Sequence, residues 1–362
     1  MEFLSPLWWF ILLRTIAIGA AGGAIFAWLN MPLPWMIGAM VATTSCSLGG
    51  VRMRIPIQMR SVMIAVIGVL LGASFTPDIF EKAGEWMLSL LCLMLYLSLL
   101  IALLFVYFRK VAGFDIPTAY FSATPGGLAE MVVAGAAAGA DDRTVALIHA
   151  SRVLLVVMII PFWFRITTGV IPEPSSIGPS IVDIESVDML MLAICALVGS
   201  ILGKLIRMPA WQLAGPMLAS AAVHATGITE ADPPWEIVAI AQVIVGSSLG
   251  SRFSGVPLRK VRNMIALSLS STAVMLAATV GFAFGLQKIT GIDWHSIVLA
   301  YSPGGLAEMS IIALSLGMDT AFIAVHHVFR ISLIVMAAPL IFNLVGKIGR
   351  SRALSKGRSG GD

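Results

Sequence analysis

The string Pro-Gly-Gly-Leu-Ala-Glu-Met occurs twice, at 125–131 within FSATPGGLAEMVVAG and at 303–309 within LAYSPGGLAEMSIIA. Each copy sits in an apolar run, where it places two helix-weakening glycines and one carboxylate. Proline removes a helical hydrogen bond and glycine loosens the backbone. Each run therefore reads as two short arms around a break, and not as one uniform helix.

Laying Glu130 on Glu308 brings much more into register. Gly113 falls on Gly291, Asp115 on Asp293, Gly139 on Gly317, Asp141 on Asp319, His149 on His327, Arg152 on Arg330 and Pro161 on Pro339. Upstream, Gly68, Gly72 and Phe75 fall on Gly246, Gly250 and Phe253; with one residue of slip, Met31, Pro32, Gly38 and Met40 meet Met208, Pro209, Gly215 and Met217. The chain reads as a duplication. The expected layout is a first membrane repeat at 1–168, an extracytoplasmic linker at 169–188 rich in Pro, Ser and acid, a second repeat at 189–346 and a basic cytoplasmic tail at 347–362.

Composition sets the class. Only 12% of the 362 residues are charged, against about 25% in a typical globular domain, and the mean hydropathy is +0.95. Apolar runs long enough to cross a hydrocarbon core of about 30 Å recur throughout, so the chain reads as an all-α polytopic membrane protein. The formal charge of +4 comes from Lys and Arg in short loops, which is the positive-inside bias and gives no reason to expect nucleic acid. Cys46, Cys92 and Cys195 are unclustered and read as small buried hydrophobes. The first apolar run carries Arg14 and lacks a basic leader, so it reads as a membrane helix and not a cleaved signal.

Expected spans in the first copy are about 7–29, 33–49, 57–75, 86–108 and 143–165; in the second they are about 189–206, 210–227, 236–253, 263–286 and 319–345. Basic loops (Arg52, Arg54 and Arg60; Arg109 and Lys110; Lys204 and Arg207; Arg259, Lys260 and Arg262) alternate with basic-poor loops at Asp78 to Glu85, the linker and Glu230 to Glu236. This alternation places both termini in the cytoplasm and fits re-entrant hairpins at 116–140 and 294–317, entering from opposite sides. A second parse makes 116–140 a broken spanning helix and demotes PWMIGAMVATTSCSL to a re-entrant piece. Both parses give inverted repeats.

Interrupted segments at matching positions of inverted halves point to a transporter's substrate site. The helix start after each break exposes amides and partial positive charge, which favours anions; the plainer alternative is close helix packing at the glycines. The expected substrate-binding residues are Pro125, Gly126, Gly127, Glu130 and Arg152 with Pro303, Gly304, Gly305, Glu308 and Arg330. His149 and His327, each three residues before its arginine, are candidates for coupling or relay. A Glu–Arg ion pair stitching hairpin to helix is the structural alternative. His326 faces Ile148 in the duplicate and ranks below them, Asp115 and Asp293 read as helix caps, and Gly68/Gly72 and Gly246/Gly250 read as helix-contact faces.

The duplicated PGGLAEM, with MPLPWMIGAM in the first copy and MPAWQLAGPM in the second, resembles the bacterial AbrB-type membrane protein family over essentially the whole chain. Members are labelled ammonia monooxygenase or regulator of gene expression, and the name is shared with an unrelated small DNA-binding regulator that nothing here resembles. The architecture is also similar to inverted-repeat carriers of anions and cations, an analogy of fold alone.

The expectation is a secondary transporter of the bacterial inner membrane for a small organic anion, carboxylate or sulfonate, coupled to H⁺ or Na⁺. Its partners are then the lipid bilayer and that anion, with no cofactor, no metal and no nucleic acid; a homodimer is left open. A regulator or sensor is the alternative. A copper monooxygenase would need more converging ligands than Glu130/His149 and Glu308/His327 supply, so no enzyme is expected.

Overall fold

A computed structural model describes residues 5–75, 79–169, 178–256 and 258–358, with side chains over 5–75, 84–169, 178–256 and 264–344. Among these residues the chain is all helical. The first copy forms α1 (Pro6–Trp28), α2 (Pro34–Leu48), α3 (Ile57–Ala73), α4 (Ile79–Lys110), α5 (Ile116–Ala123), α6 (Leu128–Ala137) and α7 (Asp142–Thr168). The second forms α8 (Ser186–Leu205), α9 (Trp211–Ala225), α10 (Trp235–Gly250), α11 (Leu258–Thr290), α12 (Trp294–Tyr301), α13 (Leu306–Ser315) and α14 (Thr320–Arg358). Positions 170–177 of the expected linker and 359–362 of the expected tail lie outside the described residues, as do the side chains of Glu81, Arg259, Lys260 and Arg262 that marked loop sidedness.

The chain is a multi-pass membrane protein. Among the described residues seven helices are long and apolar enough to cross a bilayer: α1, α7 and α8, the 84–110 part of α4, the 264–290 part of α11, the 320–344 part of α14, and α10 with the 3-10 turn Ser251–Phe253 that follows it. The sequence led us to expect ten spans. The other three, α2, α3 and α9, have 15, 17 and 15 residues and rise only about 22–26 Å at 1.5 Å per residue. α14 runs on to Arg358, through most of the stretch expected to be a solvated tail.

Two bundles are formed. α1, α2 and α3 pack with α8, α9 and α10 as a panel; α4 to α7 pack with α11 to α14 as a second bundle, touching the panel chiefly through α3, α7, α10, α13 and α14. Outward faces are apolar, as the α4 stripe Leu88, Leu91, Leu95 and Leu99 illustrates; the other face of that helix buries Leu93, Tyr96, Leu97 and Leu100.

Within the panel, the copies exchange partners. α3 lies on α9 of the other copy, where a Cβ on Gly72 would fall 2.8 Å from the Ala221 nitrogen; α10 lies on α2, where a Cβ on Gly250 would fall 2.7 Å from the Thr44 nitrogen. In the aligned register Thr44 is the counterpart of Ala221, so the two contacts are reciprocal. The entries to α2 and α9 repeat as well: Leu33 (φ 46°) and Ala210 (φ 52°) both take left-handed backbone, a costly conformation for side chains with a Cβ.

Candidate functional site

Each break is built the same way. Asp115 caps α5 by accepting from the Thr118 amide, and Asp293 caps α12 by accepting from the His295 and Ser296 amides, so both aspartates are caps. The arms fold back on each other, because the Asp141 amide beyond α6 donates to Thr118 Oγ1 near the start of α5 at 2.9 Å and Gly135 packs on Phe121. Gly127 and Gly305 are the N-caps of α6 and α13. Glu130 and Glu308 sit at the third helical position, where a glutamate reaches back toward its cap. Each carboxylate lies where a Cβ on the cap glycine would be, so these glycines are there for close approach.

Helices α7 and α14 hold the breaks from behind. His149 donates through Nε2 to the Phe121 carbonyl at 2.8 Å, and His327 donates through Nε2 to the Leu299 carbonyl at 2.9 Å. Carbonyl acceptors assign the Nε2–H tautomer to both rings, and leave Nδ1 as an acceptor. Arg152 donates to His149 Nδ1 at 3.1 Å. Arg330 turns instead to the backbone of its break, donating to the carbonyl of Ser302 and, at 2.8 Å, to that of Gly304.

The alternative of a Glu–Arg ion pair is not formed: among the described residues neither Glu130 with Arg152 nor Glu308 with Arg330 makes a side-chain contact within 4.0 Å. Arg152 Nε and Nη1 and Arg330 Nε are buried without a protein partner. Unpaired donors of this kind carry a desolvation cost of about 1–3 kcal/mol each.

The two breaks face one cavity of about 260 Å³ at the junction of panel and second bundle. Gly126, Gly127, Glu130, His149 and Arg152 line it from one copy; Gly304, Gly305, Glu308 and Arg330 line it from the other. Pro125 and Pro303 are buried beside it, and His327 lies behind its wall, so none of these three expected residues is in the lining. Three polar residues come from the panel: Arg60 on α3, Gln212 on α9 and Arg252 after α10. Arg60 belongs to the first turn of α3 and not to a loop, because the helix starts at Ile57. Arg60 and Arg252 break the duplicate match, standing opposite Val238 and Ser74, and that departure from register is the sequence signal that marks them.

A wider opening of about 580 Å³, lined by Leu128, Arg143, Arg252 and Val256 among others, adjoins this cavity on the α6 side. The cavity thus gathers two helix starts and four guanidiniums around two carboxylates, a setting that favours a small anion. No group of three or more His, Cys, Asp or Glu side chains among the described residues converges as a metal site would require. Arg14 lies outside the cavity and donates to the Arg52 carbonyl at 2.6 Å.

This geometry defines a polytopic helical membrane protein with two interrupted segments meeting at one cavity lined by charged side chains. Residues 35–346 match the family described as "Transition state regulatory protein AbrB", and the chain belongs to that family. It is 29% identical over 369 residues to the "Uncharacterized protein YhjN" of Bacillus subtilis (strain 168), covering 95% of this chain and 94% of that protein. It is 27% identical over 333 residues to the "Putative regulator AbrB" of Escherichia coli (strain K12), covering 91% of this chain and 94% of that protein.

Proposed function

We propose that the protein is a secondary transporter, and not an enzyme, that carries a small organic anion, a carboxylate or sulfonate, across the bacterial inner membrane, coupled to H⁺ or Na⁺. The observation that carries this reading is the shared cavity: both glycine-capped helix starts line it, and Arg152 and Arg330 reach it with buried N–H groups that no carboxylate neutralises. An anion would supply the missing acceptors. In this reading α1, α2, α3, α4 and α7 cross the membrane in turn while α5 and α6 enter and leave on one side. The second copy then runs the opposite way, and both termini are cytoplasmic. Interrupted helices at matching positions of such halves form the substrate site in known transporter architectures. The regulator label belongs to the family description and to the Escherichia coli relative; the reading here rests on the cavity.

Purified full-length protein in lipid nanodiscs, heated against a panel of small mono- and dicarboxylates and sulfonates, tests the proposal. An acid that binds only the folded state at about 100 times its Kd adds about 2.7 kcal/mol of apparent stability. Arg152→Gln should abolish that gain. A panel with no stabilising acid would overturn the reading.

A further inference from the structure

Behind the second break lies a buried polar cluster that the cavity does not use. His326 on α14 donates through Nδ1 to the Phe322 carbonyl at 2.7 Å, which leaves Nε2 as the acceptor of the Ser89 hydroxyl from α4 at 2.9 Å. Ser89 Oγ also lies 3.2 Å from the hydroxyl of Tyr301, the last residue of α12, and that hydroxyl donates to the Ser89 carbonyl at 2.5 Å. His326, Ser89 and Tyr301 are at most 1% exposed. Tyr96 packs against Tyr301 with tilted rings, centroids 5.3 Å apart, and is hydrogen-bonded to Thr279 of α11 at 2.6 Å.

The duplication supplies an internal control. In the aligned register His326, Ser89, Tyr301, Tyr96 and Thr279 stand where the other copy has Ile148, Leu267, Ala123, Val274 and Ile101. There the contact between α7 and α11 is packed with apolar side chains. The other copy thus fills these five positions with apolar side chains, and a buried polar network offers no general stability advantage over an apolar core. Polarity in one copy only calls for a functional explanation.

We infer that His326, Ser89 and Tyr301 form a proton-binding site that couples proton uptake to the anion site through Tyr301 and Arg330. The network satisfies every partner in both protonation states. With His326 neutral, Ser89 donates to Nε2. When a proton binds, an N–H bond forms at Nε2 and donates to Ser89 Oγ, the Ser89 hydroxyl turns to donate to Tyr301 Oη, and Tyr301 keeps its bond to the Ser89 carbonyl. One hydroxyl rotates, one N–H bond is made and the net charge rises by one.

That charge appears one helical turn before Arg330, whose guanidinium holds the Ser302 carbonyl next to Tyr301. A cation added there strengthens the anion site, and by linkage a bound anion favours the proton. The titratable and charged groups around the cluster are Tyr96 and Cys92 from α4, Tyr301 from α12, and His327 and Arg330 from α14. Glu308 of α13 makes no hydrogen bond to it, Thr279 of α11 is neutral, and the Phe322 and Trp86 rings pack beside it. The coupling role rests on the transport reading; the proton site itself does not.

Two measurements on the full chain in bilayers separate these parts. Nitrogen NMR of histidine-labelled protein, with His326→Gln for assignment, should show the His326 ring gaining its second N–H as the pH is lowered from about 8 to about 4. A His326 signal that stays neutral across that range overturns the site. Proteoliposomes holding a pH dye and challenged with malonate, succinate and isethionate should then take up protons with the anion. Ser89→Leu/Tyr301→Ala/His326→Ile, which copies the other half of the molecule, should lose gradient-driven accumulation about tenfold per pH unit, the limit for one proton per anion. Full gradient dependence in that variant overturns the coupling. Wild-type protein that moves none of the three probes counts against the transport reading, while the titration still decides the proton site.

Discussion

The two copies share a sequence motif and a backbone plan, yet their breaks sit in different surroundings. In the second copy α13 is buried from Leu306 to Ala313, and Glu308 is 4% exposed; in the first, α6 buries only Met131 and Gly135, and Glu130 is half-buried beside the Arg143 and Arg252 opening. Arg330 is clamped on its break, while Arg152 rests on a histidine with two nitrogens unpartnered. One half is closed, with its arginine holding two carbonyls and only Nε unpartnered; the other is open, and its arginine has more unused hydrogen-bonding capacity. Under the proposed function this is one end state of a cycle, and the difference separates what the fold needs from what a ligand would need.

The comparison is tested most severely where the halves are alike. Gly72→Val and Gly250→Val each force side-chain atoms into backbone of the partner copy, and each should destabilise by about 3 kcal/mol, the upper range of overpacking. Thermal unfolding in nanodiscs measures this, and tolerance of one but not the other would break the reciprocal packing. The arginines should differ in sign. Arg330→Gln strips a charged donor from two carbonyls and should cost about 2 kcal/mol; Arg152→Gln removes unpartnered buried N–H groups and should leave the anion-free protein as stable or slightly more so.

A smaller contrast concerns the cap glycines. Gly305→Ala displaces a sealed carboxylate and should cost about 1–2 kcal/mol, whereas at Gly127 the half-buried Glu130 can swing into the opening, and Gly127→Ala should cost less than half as much in the same unfolding assay. The smallest effect is a null. Because no ion pair joins Glu130 to Arg152, a double-mutant cycle with Glu130→Gln and Arg152→Gln should give a coupling energy within about 0.5 kcal/mol of zero. The double variant should fold and still fail to take up anion in proteoliposomes.

Periodic and local features were legible in the sequence. Helix positions followed from apolar runs, both breaks from Pro-Gly-Gly, and the caps at Asp115 and Asp293 from residue type and place. Pairing was not legible. Nothing in the spacing of Glu130, His149 and Arg152 distinguishes an ion pair from an arginine resting on a histidine, because that choice is made by side-chain rotamers and by what else enters the cavity. Arg60 and Arg252 join the site from the panel, brought there by long-range packing that a linear reading cannot follow. His326 was ranked low because it lacked a counterpart, and the structure reverses the weight of that fact: a polar residue without a duplicate is one the shared fold did not require.

The exchange of partners between copies has a consequence for biogenesis. The glycine face of α3 is built to meet α9, and α2 is built to receive the glycine face of α10, so as the chain leaves the ribosome the first copy presents two faces whose partners have not been made. Membrane domains that close on themselves can fold in order of synthesis; this panel cannot. Its first three helices must wait in lipid, or beside an insertion factor, until α9 and α10 arrive. A truncated first copy would then be expected to pair with a second copy of itself, each supplying the faces the other lacks.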